Sequence, residues 1–140
     1  MQIYQKTIVL PAFKRGFHLI TNYIDKEISS FGKISKGICN LCIQHTSASL
    51  TLNENCDPDV RRDFETFFNH AVPESFPRFE HTMEGSDDMP AHIKTSMMGA
   101  TLTIPVTDNC LNLGTWQGVY LGEHRNYGGQ RRIVMTIMGE

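Results

Sequence analysis

Residues 115–125, Thr-Trp-Gln-Gly-Val-Tyr-Leu-Gly-Glu-His-Arg, constrain the fold more than any other stretch. An extended backbone sends successive side chains to opposite faces. Trp116, Gly118, Tyr120, Gly122 and His124 then share one face, and Gln117, Val119, Leu121, Glu123 and Arg125 share the other. The glycines remove side chains beside Trp116, Tyr120 and His124, which opens that face to another backbone or to a ligand. A sheet-packing device is the plainer reading of the same pattern.

A strand of this kind needs partners, and the pattern predicts them at Gln2–Val9, Arg15–Ile20, Gly37–Gln44, Ser49–Asn53, Thr101–Val106 and Arg131–Met138. Turns are expected at Asp108-Asn109 and at Tyr127-Gly128-Gly129, the second closing a hairpin. Three helices fall between the strands. Thr21 reads as the N-cap of a helix to about Ser30, with Ile24, Ile28 and Phe31 on one face and Gly32 ending it. Asp57-Pro58-Asp59 opens a helix to about His70, burying Val60, Phe64, Phe67 and Phe68. Asp88-Met89-Pro90 opens the third, which ends at Gly99, and Asp57 and Asp88 are read as caps. Residues 71–87 form a polar, Pro-containing loop too long for a mere connection. Hairpins at the end and helices between the earlier strands make this an α+β chain.

A chain of 140 residues suits one domain, spanning 1–140. Thirteen Lys+Arg against fifteen Asp+Glu leave a formal charge of −2, without the basic excess of a general nucleic-acid binder. No stretch approaches the roughly 18 apolar residues of a membrane span. Residues 1–20 carry Lys6, Lys14 and Arg15 and no apolar run of signal-peptide type, so the expected compartment is the cytosol. Cys39-x-x-Cys42 invites a zinc or redox reading. On a strand, however, positions three apart face opposite ways, and no second Cys-x-x-Cys supplies further ligands. These thiols read as small core residues.

Four histidines lie at element ends or in loops, where sites are commonly built: His45, His81, His92 and His124. His18 and His70 have no comparable neighbours. Glu54 and Asp57 flank one strand end, and Glu84, Asp87 and Asp88 crowd the loop before the third helix. Carboxylates so placed suit a hard cation, though caps and solvated loop charge explain them equally well. Arg125, Arg131 and Arg132 surround Gly128-Gly129, where guanidinium forks and backbone N–H groups could meet phosphate; a charged turn is the alternative. Neither common nucleotide-binding glycine loop occurs, and no Gly-x-Ser-x-Gly accompanies Ser47 or Ser49.

Long ordered blocks carry a resemblance: His45 to Asp63, Glu84 to Lys94, Leu113 to Arg125 and Gly129 to Ile133. Together they resemble the YjbQ family across essentially the whole chain. One small departure is Ser86, where related sequences tend to have Ala or Pro. The resemblance implies a β-sandwich-like core assembled as a homotrimer with sites near the subunit interfaces. It also implies a weak secondary thiamine-phosphate synthase activity, which joins hydroxymethylpyrimidine diphosphate to hydroxyethylthiazole phosphate and releases diphosphate. Metal binding is implied too. On that basis His45, Glu54, Asp87 and His124 are the candidate catalytic residues. Trp116, Arg125, Arg131 and Arg132 would bind a small phosphorylated substrate, Trp116 or Tyr120 by stacking on its ring. His45, His92 and His124 are the candidate ligands for a divalent metal, Mg or Zn. Alternatives are a His-site metal hydrolase and a non-catalytic small-molecule-binding protein. His45, Glu54, Asp87, His92, His124 and Arg125 are expected to meet in one pocket.

Overall fold

The computed structural model describes residues 1–140. The elements run β1 (Gln2–Leu10), β2 (Gly16–Leu19), α1 (Thr21–Ile28), β3 (Lys36–Ile43), β4 (Ala48–Glu54), α2 (Pro58–Ala71), α3 (Asp88–Met98), β5 (Thr101–Thr107), β6 (Cys110–Leu111), β7 (Gln117–Glu123) and β8 (Arg131–Gly139). The strands form a five-stranded sheet, β1-β8-β3-β5-β6, and a three-stranded sheet, β2-β7-β4. Every pairing is antiparallel. This is the α+β architecture that the pattern predicts, with three helices.

Period-two burial builds the core. Ile133, Met135 and Ile137 of β8, Cys39, Leu41 and Ile43 of β3, and Ile104 and Val106 of β5 share one cluster with Ala48, Leu50, Val119 and Leu121 of the smaller sheet. Cys39 lies inside it, and burial pushes its thiol up to about 12. Cys42 is half-buried, and all four cysteines are free thiols.

The smaller sheet is covered on its other face as well. There Phe17 meets Phe64 and Phe68 of α2, with ring centroids 5.3 and 6.1 Å apart. Helix α3 packs along β4. Strand β7 is therefore buried on both faces from Gly118 onward. The space its glycines leave is filled from within: Leu19 occupies the position over Gly118, and Ser49 and His124 crowd Gly122.

Several expectations are corrected. Strands β7 and β8 do not form a hairpin; they lie in different sheets, and 124–130 is a corner between them. Glu123 and Arg131 pair across that corner at 2.6 Å, and the Glu123 carboxylate fills the space that a side chain on residue 128 would need. Thr21 is not a cap: it begins α1, and its hydroxyl accepts the Val119 N–H at 2.9 Å, pinning the helix to β7. Phe67 is not buried but 60% exposed, because α2 turns only Phe68 fully inward, with Val60 and Phe64 half-buried. Asp57 does cap α2, accepting the Asp59 N–H at 2.9 Å, with Pro58 in the first turn. Asp108 and Asn109 adopt φ of 50° and 65°, the left-handed pair of a tight hairpin turn between β5 and β6.

Candidate functional site

Helix α3 presents Asp88 and His92 four residues apart, hence on one face. The long loop before the helix brings His81 to the same place. His81 Nε2 lies 2.7 Å and His92 Nε2 3.2 Å from one oxygen of Asp88, Oδ2. Asp88 is not the cap expected of it, because its other oxygen, Oδ1, accepts from Arg125 at 2.6 Å. Arg125 also donates to Asp87 Oδ2 at 2.9 Å and to the Glu84 carbonyl at 2.8 Å. Asp87 accepts the Asn126 N–H at 2.9 Å in addition. Asp87, Asp88 and Arg125 are therefore partners of one another, with Glu84 contributing only its backbone carbonyl.

The electrostatics follow from this geometry. Burial works to raise the Asp88 pKa, but the His81 hydrogen bond and the nearby His92 and Arg125 outweigh it, and the net shift is downward. Asp87 behaves alike: burial opposes the Asn126 and Arg125 hydrogen bonds and loses. Arg125 is held above its ordinary value; burial opposes its charge, and Asp87 and Asp88 more than offset that.

His92 Nδ1 lies 2.8 Å from the Thr46 carbonyl and must carry a proton to donate there. His92 also lines a cavity of about 610 Å³ together with His45, Thr46, Thr95, Ser96, Gly99 and Ala100.

The expected single pocket separates into three places: the cavity with its rim, the far end of β4, and the buried interior that holds His124. His45 and His92 share the cavity, and Asp87 and Arg125 stand beside it with Asp88 and His81. Glu54 does not join them. In register, Glu54 faces Gln117 whereas Ala48 faces Glu123, so the length of β4, about 20 Å, lies between. Trp116 is at that far end, where its carbonyl accepts the Asn55 N–H at 2.9 Å. It is 63% exposed, whereas Tyr120 is 1% exposed with its OH on the Glu54 carbonyl, so Tyr120 offers no face for stacking.

The ligand set His45, His92 and His124 is not gathered around a point. His45 Nε2 accepts the Arg132 N–H at 2.8 Å, and its Nδ1 faces Arg131 at 3.3 Å. Desolvation and the Arg131 charge lower its pKa. His124 is 1% exposed, with Nε2 2.8 Å from Ser49 Oγ and Nδ1 unpartnered. Burial, with Lys94, Arg131 and Arg15 adding to it, drives its pKa down to about 3. The group whose ligand atoms lie within 4.8 Å of one another is His81, Asp88 and His92. Arg131 is closed to substrate as well, bound to Glu123 at 2.6 and 2.7 Å and to Ser47 Oγ at 3.0 Å. The side chain of Arg132 remains exposed.

A family model described as UPF0047 protein YjbQ-like matches residues 6–140. The chain belongs to the YjbQ family. It is 53% identical to the YjbQ protein of Escherichia coli O157:H7 over 137 residues, covering 98% of this chain and 99% of that one. It is 39% identical over 137 residues to a UPF0047 protein of Synechocystis, covering 98% and 92%. Among solved structures, a YjbQ/UPF0047-family protein from Clostridium acetobutylicum aligns with a TM-score of 0.84 at 34% identity, covering 95% of this chain and 99% of that chain. A protein of unknown function from Sulfolobus solfataricus aligns with a TM-score of 0.88 at 25% identity, covering 99% of both. In this YjbQ-family chain, the sequence singled out His81 as an element-end histidine and Asp88 as one of the carboxylates suited to a hard cation, but the ligand set His45, His92 and His124 contained neither. The Asp88-x-x-x-His92 spacing at a helix start is the signal that pairs two of the three residues. No helix is long and apolar enough to cross a membrane.

Proposed function

We propose that this chain holds a divalent metal ion through His81, Asp88 and His92 and acts on a small phosphorylated molecule seated in the cavity that His92 shares with His45. One observation carries the reading. His92 donates from Nδ1 to the Thr46 carbonyl, yet its Nε2 faces Asp88 Oδ2 at 3.2 Å. In a neutral imidazole this places a lone pair against a carboxylate, a contact that either a second proton or a bound cation relieves. Imidazole and carboxylate are ordinary ligands for borderline divalent ions, and the carbonyl bond fixing His92 is the usual outer support of a metal-bound ring. A bound ion there supplies Lewis acidity toward a phosphoryl oxygen and lowers the pKa of a bound water. The Thr46 and Ser96 side chains line the adjoining wall and can orient a polar ligand.

Metal-assisted hydrolysis fits this arrangement better than the transferase does. Thiamine-phosphate synthase chemistry must neutralise a departing diphosphate, and Arg125 and Arg131 are engaged by carboxylates. What favours the transferase is the cavity, whose 610 Å³ lies in the range of small-molecule sites, with the exposed Arg132 nearby. The homotrimer remains part of the proposal. Ile3, Met138, Ile38 and Pro105 form one register row across four strands on the outer face of the large sheet, all exposed, and light scattering tests whether copies associate.

Elemental analysis after zinc loading and dialysis tests the site. The wild type is expected to keep about one ion per chain, and His81→Ala and His92→Ala to lose most of it. Retention by both variants, or none in the wild type, overturns the reading. Phosphate and diphosphate release from phosphorylated heterocycles, with and without a thiazole acceptor, separates hydrolysis from transfer.

A further inference from the structure

We infer that Arg125 decides which class of cation the His81–Asp88–His92 cluster accepts, by occupying one oxygen of the ligating carboxylate. This rests on the metal-site reading above. Asp88 divides its two oxygens: Oδ2 faces both imidazoles, while Oδ1 accepts from Arg125 Nη1 at 2.6 Å. With Oδ1 engaged, Asp88 can offer an ion one oxygen, and the protein donor set is two nitrogens and one oxygen. That set suits zinc-class ions, which take imidazole readily and few ligands. It is poor for Ca²⁺ and Mg²⁺, which seek many oxygens, often a bidentate carboxylate in the case of Ca²⁺.

Arg125 is itself fixed and does not swing away freely. Its Nε is on Asp87 Oδ2 at 2.9 Å, its Nη2 on the Glu84 carbonyl at 2.8 Å, and Asp87 is in turn held by the Asn126 N–H at 2.9 Å. The guanidinium thus joins the loop, the start of α3 and the end of β7 at one point. Its charge also offsets one of the two carboxylates, Asp87 and Asp88, so the cluster attracts hard cations less than the acids at 84–88 alone suggest. Arg125 touches no substrate in this scheme and is a positioning residue.

The test is competition titration of the full-length protein with Zn²⁺, Co²⁺, Mn²⁺ and Ca²⁺, alongside the visible spectrum of the Co²⁺ form. Wild type, Arg125→Gln, Arg125→Lys and Asp87→Asn are compared, with circular dichroism reporting folding. Arg125→Gln frees Oδ1, so the preference for Zn²⁺ over Mn²⁺ is expected to fall about tenfold or more, with a changed Co²⁺ spectrum. Arg125→Lys should restore part of the preference, because one ammonium can still occupy Oδ1. Asp87→Asn leaves Arg125 in place but loosens it, so a smaller shift in the same direction is expected; it also keeps the test open should Arg125→Gln fail to fold. An unchanged Zn²⁺/Mn²⁺ ratio and spectrum in the folded Arg125 and Asp87 variants, with the wild type binding through His81 and His92, overturns the role of Arg125 and leaves the metal site standing. Absence of His81- and His92-dependent binding in the wild type overturns the metal-site reading, and this inference with it.

Discussion

Two polar regions flank α3, and they use similar residues to opposite ends. On the outer side His81, Asp88, His92 and Arg125 form a partly open cluster in which one carboxylate gathers two imidazoles and a guanidinium. On the inner side His124, Lys94, Glu123 and Arg131 are almost wholly buried. Lys94 has no exposed surface, and its ammonium makes a single hydrogen bond, to Asn69 at 3.0 Å; burial lowers its pKa. His124 leaves Nδ1 without a partner. All four buried unpartnered side-chain atoms, on Arg61, Glu65, Thr95 and His124, belong to α2, α3 or the residue just past β7. A histidine on the open side is within reach of solvent and its ions. One on the closed side stays neutral and contributes to stability only in that state. Exposure, rather than residue type, separates the two roles.

The largest effect is expected where the inner region holds a complete ion pair. Glu123 is fully buried and Arg131 nearly so. Arg131→Met leaves that carboxylate unpaired and should cost about 3–5 kcal/mol, read from the urea midpoint, while zinc binding to the folded protein is unchanged. A cost below about 1 kcal/mol would mean that the corner between the sheets is not held by this pair.

His124 comes next. Its pKa falls from 6.5 to about 3 on folding, so between those values the unfolded chain binds a proton that the folded chain refuses. The contribution to stability is complete above pH 6.5 and declines by about 1.4 kcal/mol per pH unit below it, until the pH reaches the folded value. His45 shifts in the same direction. The wild-type urea midpoint should therefore fall between pH 6.5 and 5, and His124→Gln should flatten that fall at a cost of about 1–3 kcal/mol at pH 7. A wild-type midpoint that stays level across this window would show the inner histidine to be accessible to protons, and the two regions would no longer differ in kind.

How far each region was legible in the sequence follows from the range of its interactions. Asp57 before Pro58, and Asp108-Asn109 between two strands, act through atoms a few residues away, and both behave as local rules require. Asp88 looks like a cap by the same rules. Its role is instead set by Arg125, 37 residues further along the chain, and no local pattern reveals that contact. Trp116 and His124 share a face by alternation, yet one lies outside β7 at its start and the other is sealed beyond its end. Alternation gives the face and not the depth along it. Glu54 was a candidate because it is a carboxylate at a strand end, and which end of β4 adjoins the other site residues is set by its pairing with β7 and not by local pattern. The three arginines near the C-terminus were legible as a cluster, but which of them would find a carboxylate depended on how the corner between the two sheets is folded.

The smallest stability effect is expected at His81, and it separates the two regions most sharply. Its side chain is 48% exposed, and removing it leaves Asp88 with His92 and Arg125. Metal-free His81→Ala should therefore differ from metal-free wild type by no more than about 0.5 kcal/mol. Adding zinc at 100 times its dissociation constant should stabilise the wild type by about 2.7 kcal/mol and the variant much less, because ligand binding to the native state alone is what raises the midpoint. Thermal scans of both proteins, with chelator and then with zinc, read this difference directly. An equal zinc shift in both would remove His81 from the ligand set and leave Asp88 and His92 as an ordinary helix pair. A large loss of stability in the metal-free variant would instead place His81 with the inner histidine, as a residue whose partners need it whether or not an ion is bound.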